Sequence, residues 1–381
     1  MRHLRALYLT TAAPALSTGR DMRAYSCIRA LAMLGPVDFA YAPHDTDEPD
    51  EAFASIENVE FYKIKSSRGV RRGAVYASKR LQAIPVRCCR GTSPELIAAG
   101  EALAERPDRG RVIVADGNSA TAMMQFARHR PVIYNAQNFE SDYVRSSAEN
   151  HALARAAMRR YERKLIARVS ESWMVSRADV ESARRLVPAA RVRYVPNVVD
   201  VTAIRAKAAR QGDVASGGSR LLMVGDFTYV PNLLGRDLLA HSVLPLVWEA
   251  MPEVRLTFAG RGMDDWQVPD ERVEVAGFVD DLARLYAQSD CVVVPITEGA
   301  GSPLKFIEAL AYGVPVVATP MAARGLDVLA GVHYREGEDA PTLAEAIVGV
   351  LRDGGADMAA EGVRLAEREY SIESLAERLA A

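Results

Sequence analysis

Short apolar runs rich in β-branched residues alternate with longer amphipathic segments along almost the whole chain. The runs Leu4–Thr10, Val37–Tyr41, Val59–Lys65, Arg111–Ala115, Pro131–Asn135, Ser172–Ser176 and Arg191–Val195 are strand-length and too short for helices. Helices are expected between them, over Asp21–Leu34 (closed by Gly35-Pro36), Thr121–His129, His151–Arg168 and Ala178–Leu186. Pro196–Asp200 and the Gly/Ser-rich Gln211–Ser219 read as a linker, after which the alternation restarts. Strands are expected at Arg220–Val224, Arg255–Ala259, Val273–Ala276, Cys291–Pro295 and Val314–Thr319, with helices at Leu233–Met251, Asp281–Ser289, Thr342–Asp353 and Met358–Ala380. Such alternation predicts an α/β protein with two Rossmann-like, doubly wound parallel sheets facing across a cleft. The expected domains are residues 1–196 and 197–361, with a last helix, about 362–381, packing back on the first.

The most informative stretch is 290–319. A buried strand, Cys291–Pro295, runs into a loop with two glycines, Thr297–Gly301. Ser302 has the chemistry of a helix N-cap and Pro303 suits a first helical position. Gly313 and Pro315 end that helix. A glycine loop feeding a helix start favours anions, because unpaired N–H groups and the dipole act together. Lys305 in the first turn opposes the dipole unless an anion lies between them. Glu308 follows at i+3 on the same face. This is the pattern of a pocket for phosphate and hydroxyl groups, and equally of a plain strand–loop–helix with a surface Lys–Glu pair. A second polar group, Asn135 to Glu140, follows a strand end, where ligands of α/β sheets usually lie.

Composition narrows the class. The 381 residues are 49% hydrophobic and 25% charged, a globular composition. A net charge of −2 gives no general attraction to nucleic acid. No apolar run is long enough to span a bilayer, and the first residues lack a signal-peptide pattern, so a cytoplasmic location is expected. Cys27, Cys88, Cys89 and Cys291 are too few for a disulfide framework and read as reduced thiols. His3, His44, His129, His151, His241 and His333 show no metal-binding spacing, so no metal is expected. Residues 63–90 carry nine basic side chains and no acid. The plainer reading of that stretch is a solvated connection.

The motifs now resemble a family. Gly277-Phe-Val-Asp-Asp-Leu-Ala-Arg-Leu-Tyr, Ser289-Asp-Cys-Val-Val-Val-Pro and Gly301-Ser-Pro-Leu-Lys-Phe-Ile-Glu-Ala-Leu-Ala-Tyr-Gly-Val-Pro-Val-Val-Ala-Thr resemble the C-terminal domain of family 4 GT-B glycosyltransferases (glycosyl transferases group 1). Tyr194-Val-Pro-Asn-Val-Val-Asp200 looks like that family's interdomain crossing. The likeness is specific in the C-terminal half and organisational in the N-terminal half. It implies a retaining, metal-independent hexosyl- or deoxyhexosyltransferase that moves a sugar from a nucleotide-diphosphate-sugar to an acceptor hydroxyl, with no cofactor beyond that co-substrate. Donor contacts would come from Gly19, Gly225, Asp226, Phe278, Val279, Gly301, Ser302, Leu304, Lys305 and Glu308. Glu308 matches the second glutamate of the family's two-glutamate motif, which bonds ribose hydroxyls, and the backbone near Phe278 and Val279 would lie by the base. Asn138 and Glu140 would serve the acceptor, with Lys305 and Glu140 the candidate catalytic groups.

The departures are as informative. The first motif glutamate is replaced by Ala300, and Glu298 stands two residues early. The arginine and lysine expected after the first strand of the second domain are Asp226 and Asn232. Lys305 is the candidate replacement cation, as in a subset of the family with Gly-x-x-x-Lys-x-x-Glu and a Pro-Asn like Pro231-Asn232. A histidine expected before Asn138 is Gln137, which cannot act as a base. These losses leave two alternatives open, a non-catalytic nucleotide-sugar-binding accessory protein on the same fold and a sugar-nucleotide epimerase. A dehydrogenase is disfavoured, since no strand is followed by Gly-x-Gly-x-x-Gly. The expected partners are the donor and a lipid-linked, polysaccharide or small-molecule acceptor, with no nucleic acid. The basic stretches 63–90 and 155–168 hint at peripheral contact with the inner face of a membrane.

Overall fold

The structure is a computed structural model. It describes all residues except 1–4, 12–13, 15, 17–18, 43–48, 66–72, 75–76, 79–80, 82–83, 90–92, 107–110, 118–119, 121–129, 144–151, 212–218, 269 and 300–301, and the backbone alone at 86–87, 111 and 142–143. The helix expected at Thr121–His129, half of the basic 63–90 stretch, most of the Gly/Ser linker, His3, His44, His129 and His151 fall outside the described residues. The chain forms two compact units, Met1–Asn197 with Ile372–Ala381, and Val198–Ser371.

The first unit holds seven parallel strands: β1 (Arg5–Thr10), β2 (Val37–Tyr41), β3 (Val59–Lys63), β4 (Arg111–Asp116), β5 (Val132–Asn135), β6 (Glu171–Met174) and β7 (Val192–Tyr194). Their order is β3-β2-β1-β4-β5-β6-β7. The second unit holds six: β8 (Arg220–Val224), β9 (Arg255–Ala259), β10 (Val273–Gly277), β11 (Cys291–Val294), β12 (Val316–Ala318) and β13 (Arg335–Glu336), in the order β10-β9-β8-β11-β12-β13. All their pairings are parallel. Both sheets are thus doubly wound and Rossmann-like, as the alternation of elements predicts.

Central strands of such sheets are covered on both faces, which explains their continuous apolar runs. In β11, Val292 and Val294 join one core, while Cys291 and Val293 join the core on the opposite face. In β1, Leu7 and Leu9 enter one core, and between them Tyr8 meets Phe39 edge-on, 6.0 Å between centroids, on the other side.

Several elements differ from the sequence pattern. The C-terminal segment is two helices, Ala356–Glu369 and Ile372–Ala380. Tyr370 breaks the run: its carbonyl accepts from Val199 N (3.0 Å) and its buried hydroxyl accepts from Asp327 N (2.6 Å). The second of these helices packs on Gly19–Leu34 within the first unit. The helix expected from Leu233 begins at Val230, because Pro231 fits its first turn, and it carries a π turn at Leu239–Val243. Helix Pro94–Ala104, capped by Ser93, and the two-residue strand β13 were not evident beforehand.

Candidate functional site

In the second unit, three loops at the C-terminal ends of neighbouring strands are bonded to one another. Gly225 N donates to Ala259 O (3.0 Å), Gly260 N to Gly277 O (2.7 Å) and Phe227 N to Arg261 O (2.9 Å). Gly260 has φ +144°, and a Cβ there would sit 1.7 Å from Gly225 O. Only glycine lets these loops close to this distance.

Lys305 reaches into this corner from helix Leu304–Tyr312. Its Nζ donates to Asn232 Oδ1 (2.6 Å), and Asn232 Nδ2 donates to Asp226 O (2.7 Å). A Cβ on Gly225 would stand 3.0 Å from that Nζ, so the bare glycine makes room for the cation. Burial pushes the Lys305 amine down to about 8, against Glu308 and Asp226, which pull it upward. One turn on, Glu308 accepts from the Tyr286 hydroxyl (3.2 Å), and Tyr286 stacks on Tyr312 with centroids 4.4 Å apart. Burial raises the Glu308 carboxyl, against Tyr286 and Lys305, which lower it. A half-buried cation, a half-buried carboxylate and a helix start thus share one face. That combination suits an anion with hydroxyl groups attached.

Several expected roles change. Ser302 is not the N-cap; Pro303 occupies that position with extended φ/ψ, and Leu304 is the first helical residue. Pro303 has no side-chain donor or acceptor, so the first turn's N–H groups are not capped by it. Ser302 is buried at the loop's end. Gly19, expected as a donor contact, is the exposed first residue of helix Gly19–Leu34. The Asp226 carboxylate is taken up by its own turn, accepting from Thr228 N (2.9 Å) and Thr228 Oγ1 (2.6 Å). Phe278 is 60% exposed, with the Arg261 guanidinium 5.0 Å from its ring centroid, and Val279 beside it is half-buried. Glu298 is exposed, while Ala300 and Gly301 lie outside the described residues. The sequence reading missed Asn232 as the holder of Lys305 and Tyr286 as the holder of Glu308. Pro231-Asn232 was the available signal for the first; nothing local marks Tyr286.

In the first unit, the polar groups after β5 belong to a buried network. Asp116 accepts from Thr10 Oγ1 (3.0 Å), Asn135 Nδ2 (3.2 Å) and Gln137 Nε2 (2.6 Å), and Arg20 Nε lies 3.8 Å from it. The fully buried Arg23 donates to Asn135 Oδ1 (2.7 Å), Val195 O (3.1 Å) and Asn197 Oδ1 (3.1 Å). Asn135 is therefore a structural tie, and Gln137 is oriented by Asp116. Asn138 is half-buried. Glu140, the buried first residue of helix Glu140–Tyr143, does not supply that helix's cap. Glu162 does: its carboxylate accepts from Glu140 N (2.5 Å), Ser141 N (3.0 Å) and Ser141 Oγ. Burial pushes the Glu162 carboxyl up to about 8. Its signal was present: Glu162 falls on the same helical face as Met158, Tyr161 and Leu165.

Among the described residues, no cluster of His, Cys, Asp or Glu could hold a metal ion. His333 Nδ1 accepts from Leu329 N (3.0 Å) as a turn partner. The four cysteines are buried and none forms a disulfide; burial pushes the Cys27 thiol up to about 11 and the Cys291 thiol up to about 12, which keeps those two unreactive.

Comparison with known proteins places these features. Residues 218–353, the core of the second unit, match the family model described as glycosyl transferases group 1. Among curated proteins, none matches the chain. Similar solved structures include sucrose-phosphate synthase from Thermosynechococcus elongatus, with TM-score 0.74 and 17% identity over 100% of this chain and 98% of that one. HepE from Anabaena, solved with UDP and glucose, aligns with TM-score 0.65 and 15% identity over 99% and 98%. TarM from S. aureus, solved with UDP and other ligands, aligns with TM-score 0.69 and 11% identity over 100% and 99%. Over residues 218–353 the second unit thus matches the glycosyl transferases group 1, and the chain as a whole has the two-domain glycosyltransferase fold known as GT-B.

Proposed function

We propose that the protein is a retaining, metal-independent glycosyltransferase that moves a hexosyl or deoxyhexosyl group from a nucleotide-diphosphate-sugar to an acceptor hydroxyl. The observation that carries this reading is Lys305, held by Asn232 beside Gly225 and one turn before Glu308. The family's usual cations are absent after β8, and Lys305 stands in the corner they would serve. Glu308, steadied by Tyr286, suits ribose hydroxyls. Gly225, Ser302 and the first amides of helix Leu304–Tyr312 suit the diphosphate. The exposed Phe278 and neighbouring Val279 suit the base.

In this reading the bond from the anomeric carbon to the diphosphate oxygen breaks, and the acceptor oxygen bonds to the same face of that carbon. Negative charge grows on the departing diphosphate. A preorganised cation and helix N–H groups stabilise it without rearranging at the moment of reaction. The acceptor proton passes to a base, for which Glu140 is the candidate, with Asn138 as an acceptor contact. The acceptor is a lipid-linked, polysaccharide or small-molecule alcohol. HepE and TarM were solved with UDP, which puts UDP-sugars first among donors to try.

Proton NMR of a transferred α-linked sugar tests the stereochemistry. The product is expected to keep the donor's anomeric configuration, and the rate to be unchanged by EDTA. An inverted product, or loss of the rate on chelation, would overturn this mechanism.

A further inference from the structure

Helix Ala152–Ile166 of the first unit separates its residues sharply. Met158, Tyr161, Leu165 and Ile166 are buried. So is its one acid, Glu162, which is turned inward to hold the start of helix Glu140–Tyr143. The outward face carries Arg159, Arg160, Arg163 and Lys164, with Arg168 just beyond the helix, and between them only alanines and Leu153. Leu153, Arg160 and Lys164 fall at i, i+7 and i+11 and so lie along one line of that face. Leu153 is 80% exposed.

The surrounding sequence adds to this charge. Residues 152–193 contain eleven Lys and Arg against four Asp and Glu, in a chain whose net charge is −2. Helix Arg177–Leu186, which packs against the first, exposes Arg184 and Arg185. Placing so many cations on one face costs self-repulsion, which a negative surface would relieve. On the helix itself no exposed carboxylate relieves it, because its only carboxyl is buried, and the helix dipole favours only Arg163 and Lys164 in the last turn. No described helix is long and apolar enough to cross a membrane. An amphipathic helix with a cationic outer face and an exposed leucine instead suits contact parallel to a bilayer.

We propose that the outward face of helix Ala152–Ile166 docks the first unit on an anionic lipid surface. Arg160, Arg163 and Lys164 meet the headgroups and Leu153 enters the boundary beneath them. The proposal goes beyond glycosyl transfer and does not depend on it.

Cosedimentation with phosphatidylcholine vesicles, with and without phosphatidylglycerol, tests it. The full chain is expected to bind only vesicles containing phosphatidylglycerol, and less as salt rises. The triple variant Arg160→Gln/Arg163→Gln/Lys164→Gln is expected to lose binding on the order of 100-fold. Its circular dichroism and melting should match the parent chain, since all three side chains are exposed. Leu153→Asp should also weaken binding at unchanged melting. No binding by the parent chain, binding unchanged in the triple variant, or binding to heparin but to no vesicle would each overturn the proposal. Binding of nucleoside diphosphates by the same protein reports separately on the donor reading.

Discussion

Lys305→Met is expected to lower donor turnover by about 100- to 1,000-fold, the usual effect of removing one preorganised group that stabilises developing negative charge. The same variant should melt at or above the temperature of the parent chain. The two outcomes have one cause. Burial has pushed the Lys305 amine down to about 8, so the folded protein holds this cation at a cost. Replacing a desolvated charge with an apolar chain of similar length removes that cost, and Glu308 keeps its bond from the Tyr286 hydroxyl. The pH dependence follows with its sign. Below about 8 the amine is charged and turnover is full; as pH rises through that value the charge, and with it turnover, is lost. Stability runs the other way. The unfolded chain keeps the proton up to 10.5, so between about 8 and 10.5 the unfolded state binds more protons and stability rises with pH. A Lys305→Met variant that turns over donor normally, or one that unfolds at lower temperature with no other change, would remove Lys305 from the chemistry. Asn232→Ala should reproduce part of the loss, since Asn232 Oδ1 fixes the amine (2.6 Å).

Gly260→Ala carries the largest expected effect on folding. The added methyl would lie 1.7 Å from Gly225 O, at φ +144°, which side-chain-bearing residues rarely adopt. Backbone strain and a backbone clash together should cost on the order of 4 kcal/mol. Because Gly225 also borders Lys305 Nζ, the displaced loop should weaken nucleotide binding as well. Gly277→Ala is the control. Gly277 has φ +65°, but nothing lies within 4 Å of a Cβ there. Its cost should be only about 1–2 kcal/mol, from the left-handed backbone alone. Denaturant unfolding of both variants checks the difference; equal stabilities would contradict the packing described for these loops.

How much of this was legible in the sequence depended on range. Strands such as Val37–Tyr41, Arg220–Val224 and Arg255–Ala259 coincide with the expected segments, because a buried parallel strand writes itself as a local apolar run. Lys305 and Glu308 were legible as a pair because a helix turn fixes their common face. Their holders were not. Asn232 is 73 positions from Lys305 and Tyr286 is 22 from Glu308, so only the folded chain brings each pair together. The break at Tyr370 was invisible for the same reason: no glycine or proline marks it, and its carbonyl is claimed by Val199 from far along the chain. Ser302 shows the opposite error. It has the right chemistry for a cap, yet the neighbouring Pro303 takes the position by its backbone geometry. Glu162 was hidden by its company. Standing amid five arginines and lysines it drew no expectation, although its spacing already placed it inward.

The central claim is that the corner formed by Lys305, Asn232 and Glu308 handles a nucleotide-diphosphate-sugar. The most direct test is release of nucleoside diphosphate from a panel of nucleotide sugars, UDP-sugars first, by the parent chain and by Lys305→Met. At least one donor is expected to be cleaved by the parent chain, with that cleavage lost in the variant while the nucleoside diphosphate itself still binds. A panel in which no donor is bound or cleaved by the parent chain would contradict the account.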